Sequence, residues 1–200
     1  MNLEQYRILF MVVTLGLALV AASPVIGLVV PFRSGSERFS EFWLLGPDHM
    51  AEGYPFTVGA GENYKIFVGV ANNMGSSGYY MINVKFSNSN QIFSDNTGFV
   101  PSSSPPLYDY RFFIGEWEVW ESPVTFGFQN VSVEGDVLFV GDVVVDGIVF
   151  PINSSTMWDS ESSGFIFQLS FELWRYDVES HSFGFHGQVV GIHLNMSRTL

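Results

Sequence analysis

The sequence predicts an all-β fold, an immunoglobulin-like antiparallel β-sandwich behind one N-terminal transmembrane helix, and three observations carry that expectation. Residues that prefer pleated sheet dominate: twenty Phe, eight Tyr and five Trp occur in 200 residues, with many Val and Ile beside them. Twenty Gly and nine Pro supply the turns that many short strands need. Beyond the N-terminal segment, apolar residues recur with a period of two and never with the helical period. Two packed antiparallel sheets bury such strands economically. A jelly-roll is the alternative arrangement.

The N-terminal element comes first. From Ile8 to Phe32 the chain carries no charge, and about 20 apolar residues suffice to cross a bilayer core as a helix. Residues 1–32 therefore read as a membrane anchor. The small residues Val20-Ala21-Ala22 before Ser23-Pro24 support a cleaved secretory signal as the other reading. Either way the remainder is exported. Residues 33–38 (RSGSER) form a short linker, and residues 39–200 form the exported domain.

Along that domain, strand and turn segments alternate. Phe39–Leu45 is the first strand, stopped by Gly46-Pro47-Asp48. Residues 57–63 read as a turn. Tyr64–Val70 and Tyr79–Phe86 flank the turn Asn72–Gly78 and form a hairpin. Residues 87–107, rich in Ser and Pro, make the longest loop and a place for contact. Tyr108–Ile114, Trp117–Trp120 and Pro123–Phe128 continue the pattern, with Trp117 and Val119 expected to point inward. Asp146-Gly147 between Val137–Val145 and Ile148–Ile152 is a strong two-residue hairpin signal, because both turn positions need positive φ. Phe165–Tyr176 and Phe183–Asn195 form the last hairpin, with Phe165, Phe167, Leu169, Phe171 and Leu173 on one face.

Charge and composition exclude several functions. With eight Lys and Arg against twenty Asp and Glu, the net charge is −12. A nucleic-acid partner requires a basic footprint, and the chain has none. Cysteine is absent, which excludes disulfides, thiolate metal sites and cysteine nucleophiles.

Several residues are candidates for chemistry or contact. Asn130-Val131-Ser132, Asn153-Ser154-Ser155 and Asn195-Met196-Ser197 match the N-glycosylation acceptor pattern. Asn153, just after a strand, is the first choice among them. His181, His186 and His193 fall in one hairpin, but their spacing does not suit a metal site. Asp95, Asp136, Asp142, Asp146, Asp159 and Glu161 raise the question of calcium, yet the D-x-[DN]-x-[DN]-G loop is missing. No cofactor is expected, with calcium clamped between loops of the exported domain as the alternative. Glu116, Glu118 and Glu121 lie near Trp117, Trp120 and Tyr110. This grouping suggests contact or sugar stacking, or a glycosidase carboxylate pair. No G-x-S-x-G or phosphate-binding glycine loop occurs, and no catalytic residue is assigned.

The segments Glu41-Phe42-Trp43-Leu44-Leu45-Gly46-Pro47, Ala51-Glu52-Gly53-Tyr54-Pro55, Gly61-Glu62 and Val68-Gly69-Val70-Ala71-Asn72 resemble an archaeal membrane-protein family known as domain of unknown function 1616. Trp158-Asp159-Ser160 and Phe171-Glu172-Leu173-Trp174 look like its shorter members, so the resemblance covers roughly residues 39–195. It implies an archaeal membrane protein with an exported β-domain and brings no established activity. Many members look to carry several membrane helices, whereas this sequence shows one such segment. The expectation is a non-enzymatic, single-pass glycoprotein of the cell envelope whose extracellular domain contacts a protein partner. The alternative is a carbohydrate-binding module.

Overall fold

A computed structural model describes residues 6–18, 38–88 and 100–197. The chain divides into two compact units, Met1–Glu37 and Arg38–Leu200.

In the first unit, residues 6–18 form helix α1, whose apolar side chains are exposed. Thirteen residues at 1.5 Å each give about 20 Å, short of the roughly 30 Å of a bilayer core. Among the described residues no helix is long and apolar enough to cross a membrane. The expected transmembrane span thus has only its first part in a described helix. Its remainder, with most of the linker, lies outside the described residues.

The second unit is all β. Its strands are β1 (Phe39–Leu45), β2 (Thr57–Val58), β3 (Asn63–Asn73), β4 (Gly78–Asn88), β5 (Pro106–Ile114), β6 (Val119–Glu134), β7 (Val137–Val145), β8 (Ile148–Asp159), β9 (Gly164–Asp177) and β10 (Ser182–Met196). One half is ordered β1-β3-β6-β7-β8, and the other β5-β4-β9-β10-β2. The end of β8 joins them, with Trp158 opposite Phe165 and Asp159 opposite Gly164 on β9. Among the described strands all pairings are antiparallel except β10 with β2, which is parallel; Ala60 adds an isolated parallel bridge to Phe128. The result is one curled sheet whose two halves face each other across a core.

Alternation decides which side chains fill that core. Ile66, Val68 and Val70 from β3 meet Ile82, Val84 and Phe86 from β4, all buried. The buried face expected for Phe165, Phe167, Leu169, Phe171 and Leu173 is present, each 0% exposed. Rings connect the halves: Phe86 lies 5.6 Å from Phe128, and Phe112 stacks on Trp120 at 3.7 Å.

The Asp146-Gly147 hairpin forms as read, with φ of 49° and 79°, the left-handed pair that such a turn demands. The Asp146 carboxylate locks it by accepting from Thr125 N, Thr125 Oγ1 and the Tyr110 hydroxyl.

Four local expectations need correction. Tyr64–Val70 and Tyr79–Phe86 do not pair as a hairpin: β3 pairs with β1 and β6, and β4 with β5 and β9, so the chain crosses from one half-sheet to the other between them. Thr57–Val58 is a short strand rather than turn, because the backbone there pairs with the end of β10. β8 runs past Ile152 to Asp159, so Asn153 lies inside the strand. Trp117 and Val119 do not point inward: they are 64% and 61% exposed. Residues 115–118 form a turn in which Trp117 takes a φ of 65°, so the alternation assumed through this segment is broken.

Candidate functional site

The outer face of the half-sheet β5-β4-β9-β10 carries the domain's most distinctive side chains. Register places Tyr79 opposite Phe113 on β5, Tyr80 opposite Arg175 on β9 (hence Tyr79 beside Tyr176), and Tyr176 opposite Phe183 on β10. Four aromatic residues, one per strand, thus form a row across the sheet. Tyr79 stacks on Phe113 at 4.3 Å and 13°, and Phe183 lies 5.1 Å from Tyr79 and 5.4 Å from Tyr176. Cross-strand aromatic pairs of this kind stabilise sheets, yet Phe113 remains 76% exposed.

The adjacent row contains Arg111, Met81, Trp174 and Phe185. Arg111 lies 5.8 Å from the Phe183 ring and pairs with Asp109 at 2.5 Å. Its charge is therefore compensated on the face itself.

Farther along the same face the chemistry becomes polar and buried. Lys85 on β4 and Glu172 on β9 form an ion pair at 2.8 Å, with side chains 5% and 0% exposed. Ser102 completes it: its N–H donates to Glu172 Oε1 at 2.7 Å, and its carbonyl accepts from Lys85 Nζ at 2.9 Å. Ser104 Oγ meets Ser87 Oγ at 3.0 Å. The segment before β5 is thereby clipped onto the sheet. Buried charges tolerate such dryness only when paired and hydrogen-bonded, as these are. Gln168 Oε1 and Ser170 Oγ beside them are buried without a hydrogen-bond partner.

A second polar chain runs between the two halves. Asn72, fully buried, donates to the carbonyls of Ser76, Ile114 and Gly115 and accepts from Met74 N–H and the Tyr80 hydroxyl. Tyr80 OH lies 2.9 Å from Ser40 Oγ, which lies 3.1 Å from His186 Nε2. Because Tyr80 gives its proton to Asn72, Ser40 donates to Tyr80 and His186 donates to Ser40. Burial, and then the neighbouring Arg175 charge, push the His186 pKa below its ordinary value. Neutral His186 is the folded form, whereas the unfolded chain protonates near 6.5. The unfolded state therefore binds more protons as pH falls through that value, and stability is lost. Melting temperature is expected to fall between pH 7 and 5, with a shallower fall in His186→Gln. Equal slopes would contradict this role.

The residues singled out from the sequence are dispersed. Tyr110 and Trp120 lie 6.1 Å apart against the core. Burial and the Asp146 carboxylate hold the Tyr110 phenol well above its ordinary pKa. Trp117 stands exposed in its turn. Glu118 accepts from Gly115 N–H, while Glu121 accepts from Trp43 Nε1 at 3.4 Å and pairs with His49 at 3.1 Å. Asn130 donates to the Asp142 carboxylate, Asn195 donates to the Ser162 carbonyl, and Asn153 is exposed. His181 and His193 are exposed, apart from His186. Asp95 lies outside the described residues. Asp159 accepts from Glu161 N–H. Among the described residues no three His, Asp or Glu side chains gather as a metal site.

The segment carrying the family resemblance acts as a clasp. Trp43 covers Gly69, where an added Cβ would lie 2.3 Å from the indole. Tyr54 OH donates to the Leu44 carbonyl at 2.7 Å, and Asn72 is the hub described above. The family model described as Domain of unknown function (DUF1616) matches residues 33–136.

The chain belongs to that family.

The matched span includes β1 to β6, and so contains two strands of the aromatic row, β4 and β5. Among solved structures, a beta-glucosidase from Listeria innocua in complex with gluconolactone is similar over 80% of this chain, with a TM-score of 0.36 and 10% identity. The chain covers 16% of that enzyme, and so distant a likeness carries no inference about activity. No curated protein matches in sequence.

Proposed function

We propose that the chain is a non-enzymatic, membrane-anchored protein of the archaeal cell envelope, whose exported domain docks a protein partner on the β5-β4-β9-β10 outer face. The row Phe113–Tyr79–Tyr176–Phe183 carries this reading. With Trp174, Met81 and Arg111 beside it, the face has the residue types enriched in the cores of protein interfaces.

Ring geometry favours a protein over a sugar. A sugar ring lies on a flat aromatic face, whereas Phe183 is tilted by 54° and 74° to Tyr79 and Tyr176, and Tyr79 and Phe113 each turn one face to the other. Charge narrows the partner further. The net charge of −12 repels a second copy and any polyanion, while the pairing of Arg111 with Asp109 leaves the face itself near neutral. A neutral or basic protein surface fits best, and an accessory role in a surface or membrane complex follows.

The finer fold reading is an immunoglobulin-like sandwich. Pairings of β1 with β3, β4 with β9, β9 with β10 and β4 with β5 match the A–B, C–F, F–G and C–C′ neighbours of that fold. The β6-β7-β8 meander departs from its order.

Full-length wild type, Phe113→Asp and Phe139→Asp, purified gently from the native membrane, test the docking face. Phe139 is 40% exposed on β7, in the other half-sheet. A partner retained by wild type and Phe139→Asp, and reduced about tenfold or more by Phe113→Asp, is the expected result for an interface anchor. Identical partner sets in all three would contradict the proposal.

A further inference from the structure

Among the described residues one flank of the domain is a largely unpaired edge. There β8 pairs with β7 on one side, while on the other its last two residues pair with β9 and the Ser155 carbonyl accepts from Asn88 Nδ2 at 3.0 Å. Among the described residues β5 pairs with β4 alone. A cleft of about 560 Å³ lies at this flank, lined by Phe86, Leu107, Phe150, Pro151, Asn153 and Ser154 among others.

Open strand edges invite strand addition, and proline is a common guard. Val145 and Ile148 close the two-residue hairpin, so alternate residues of β8 turn their N–H away from β7. Pro151 falls in that outward set and has no N–H to offer. Directly after it the ladder slips. Asp142 pairs with Pro151 and Val140 with Ser154, so Ile152 and Asn153 together oppose Gly141. Asn153 sits in this bulge at a φ of 46°; bulges re-aim side chains, and Asn tolerates the left-handed conformation.

The three acceptor sequences are therefore not equivalent. Asn130 is tied to Asp142, and Asn195 is tied to Ser162 with its Oδ1 buried. Asn153 is exposed on an edge strand, with no partner for its carboxamide among the described residues.

We propose that Asn153 is an N-glycosylation site whose glycan covers the cleft at the β5/β8 edge. In the transfer, Asn153 Nδ2 bonds to the anomeric carbon of a lipid-linked oligosaccharide phosphate. The carbon–oxygen bond to phosphate breaks, the phosphate leaves with the electron pair, and the amide proton passes to a base of the transfer enzyme. Attached sugar shields the apolar side chains Leu107, Phe150 and Pro151 in this mixed polar and apolar cleft and obstructs strand addition there. This proposal rests on export of the domain.

The full chain, carrying a C-terminal Asn-Xaa-Thr acceptor tag, is expressed in a host that glycosylates exported proteins, and its glycopeptides are mapped. Glycan on Asn153 is expected, abolished by Ser155→Ala and by Asn153→Gln, and retained in Asn130→Gln. A modified tag beside a bare Asn153 overturns the proposal and leaves export standing. A bare tag and a bare Asn153 overturn both. Carbene labelling of Leu107 and Phe150 is expected to rise at least twofold when the glycan is removed enzymatically; unchanged labelling overturns coverage of the cleft.

Discussion

Replacing Lys85 with methionine is expected to destabilise the domain by about 3–5 kcal/mol, the cost of leaving one charge of a buried pair alone. Glu172 is fully buried, and its carboxylate is met by Lys85 Nζ and Ser102 N–H. Removing the ammonium leaves one oxygen without its counter-charge and the Ser102 carbonyl without its donor. The double variant Lys85→Met/Glu172→Leu removes both charges and is expected to recover most of the loss, because apolar replacements of a buried pair are often neutral. Denaturant midpoints of the full-length protein in detergent measure both. A loss below about 1 kcal/mol in the single variant, the range of exposed ion pairs, would mean that water reaches this pair.

Asn72→Leu is expected to cost at least about 3 kcal/mol, because several buried groups lose partners at 1–3 kcal/mol each. Its side chain serves three carbonyls, one backbone N–H and the Tyr80 hydroxyl, and its backbone bonds to Trp117 N–H and the Glu118 carbonyl. The variant should also loosen the 115–118 turn, visible as faster amide exchange at Trp117. A loss under about 1 kcal/mol would remove Asn72 as the hub joining β3 to β4 and the turn before β6.

Local features of this fold were legible in the sequence. Asp146-Gly147 announces its hairpin because few residues accept positive φ in succession, and the five alternating apolar residues of β9 announce a buried face. What escaped depends on contacts distant in the chain. Gln168, Ser170 and Glu172 form the polar face of β9, a pattern that normally means solvent. Here all three are buried, and Glu172 is held by the N–H of Ser102, some seventy residues earlier. The aromatic row escaped for a related reason: Tyr79, Phe113, Tyr176 and Phe183 become neighbours only through strand register, and a one-residue slip would turn any of them to the other side. Trp117, Trp120 and the nearby Tyr110 cluster in sequence, but the turn at 115–118 sends Trp117 to solvent while Trp120 and Tyr110 pack on the core. The three acceptor asparagines look alike as motifs and differ only in what holds each carboxamide.

On the proposed function, the aromatic face of β5-β4-β9-β10 is covered by another protein at the membrane. A photoreactive phenylalanine analogue placed at position 113, and separately at position 139, reports this in intact cells. Cross-linking from position 113 to one protein of different sequence, with none from position 139, is the predicted result. No adduct at 113, or adducts only with lipid, glycan or another copy of the chain, would contradict the claim.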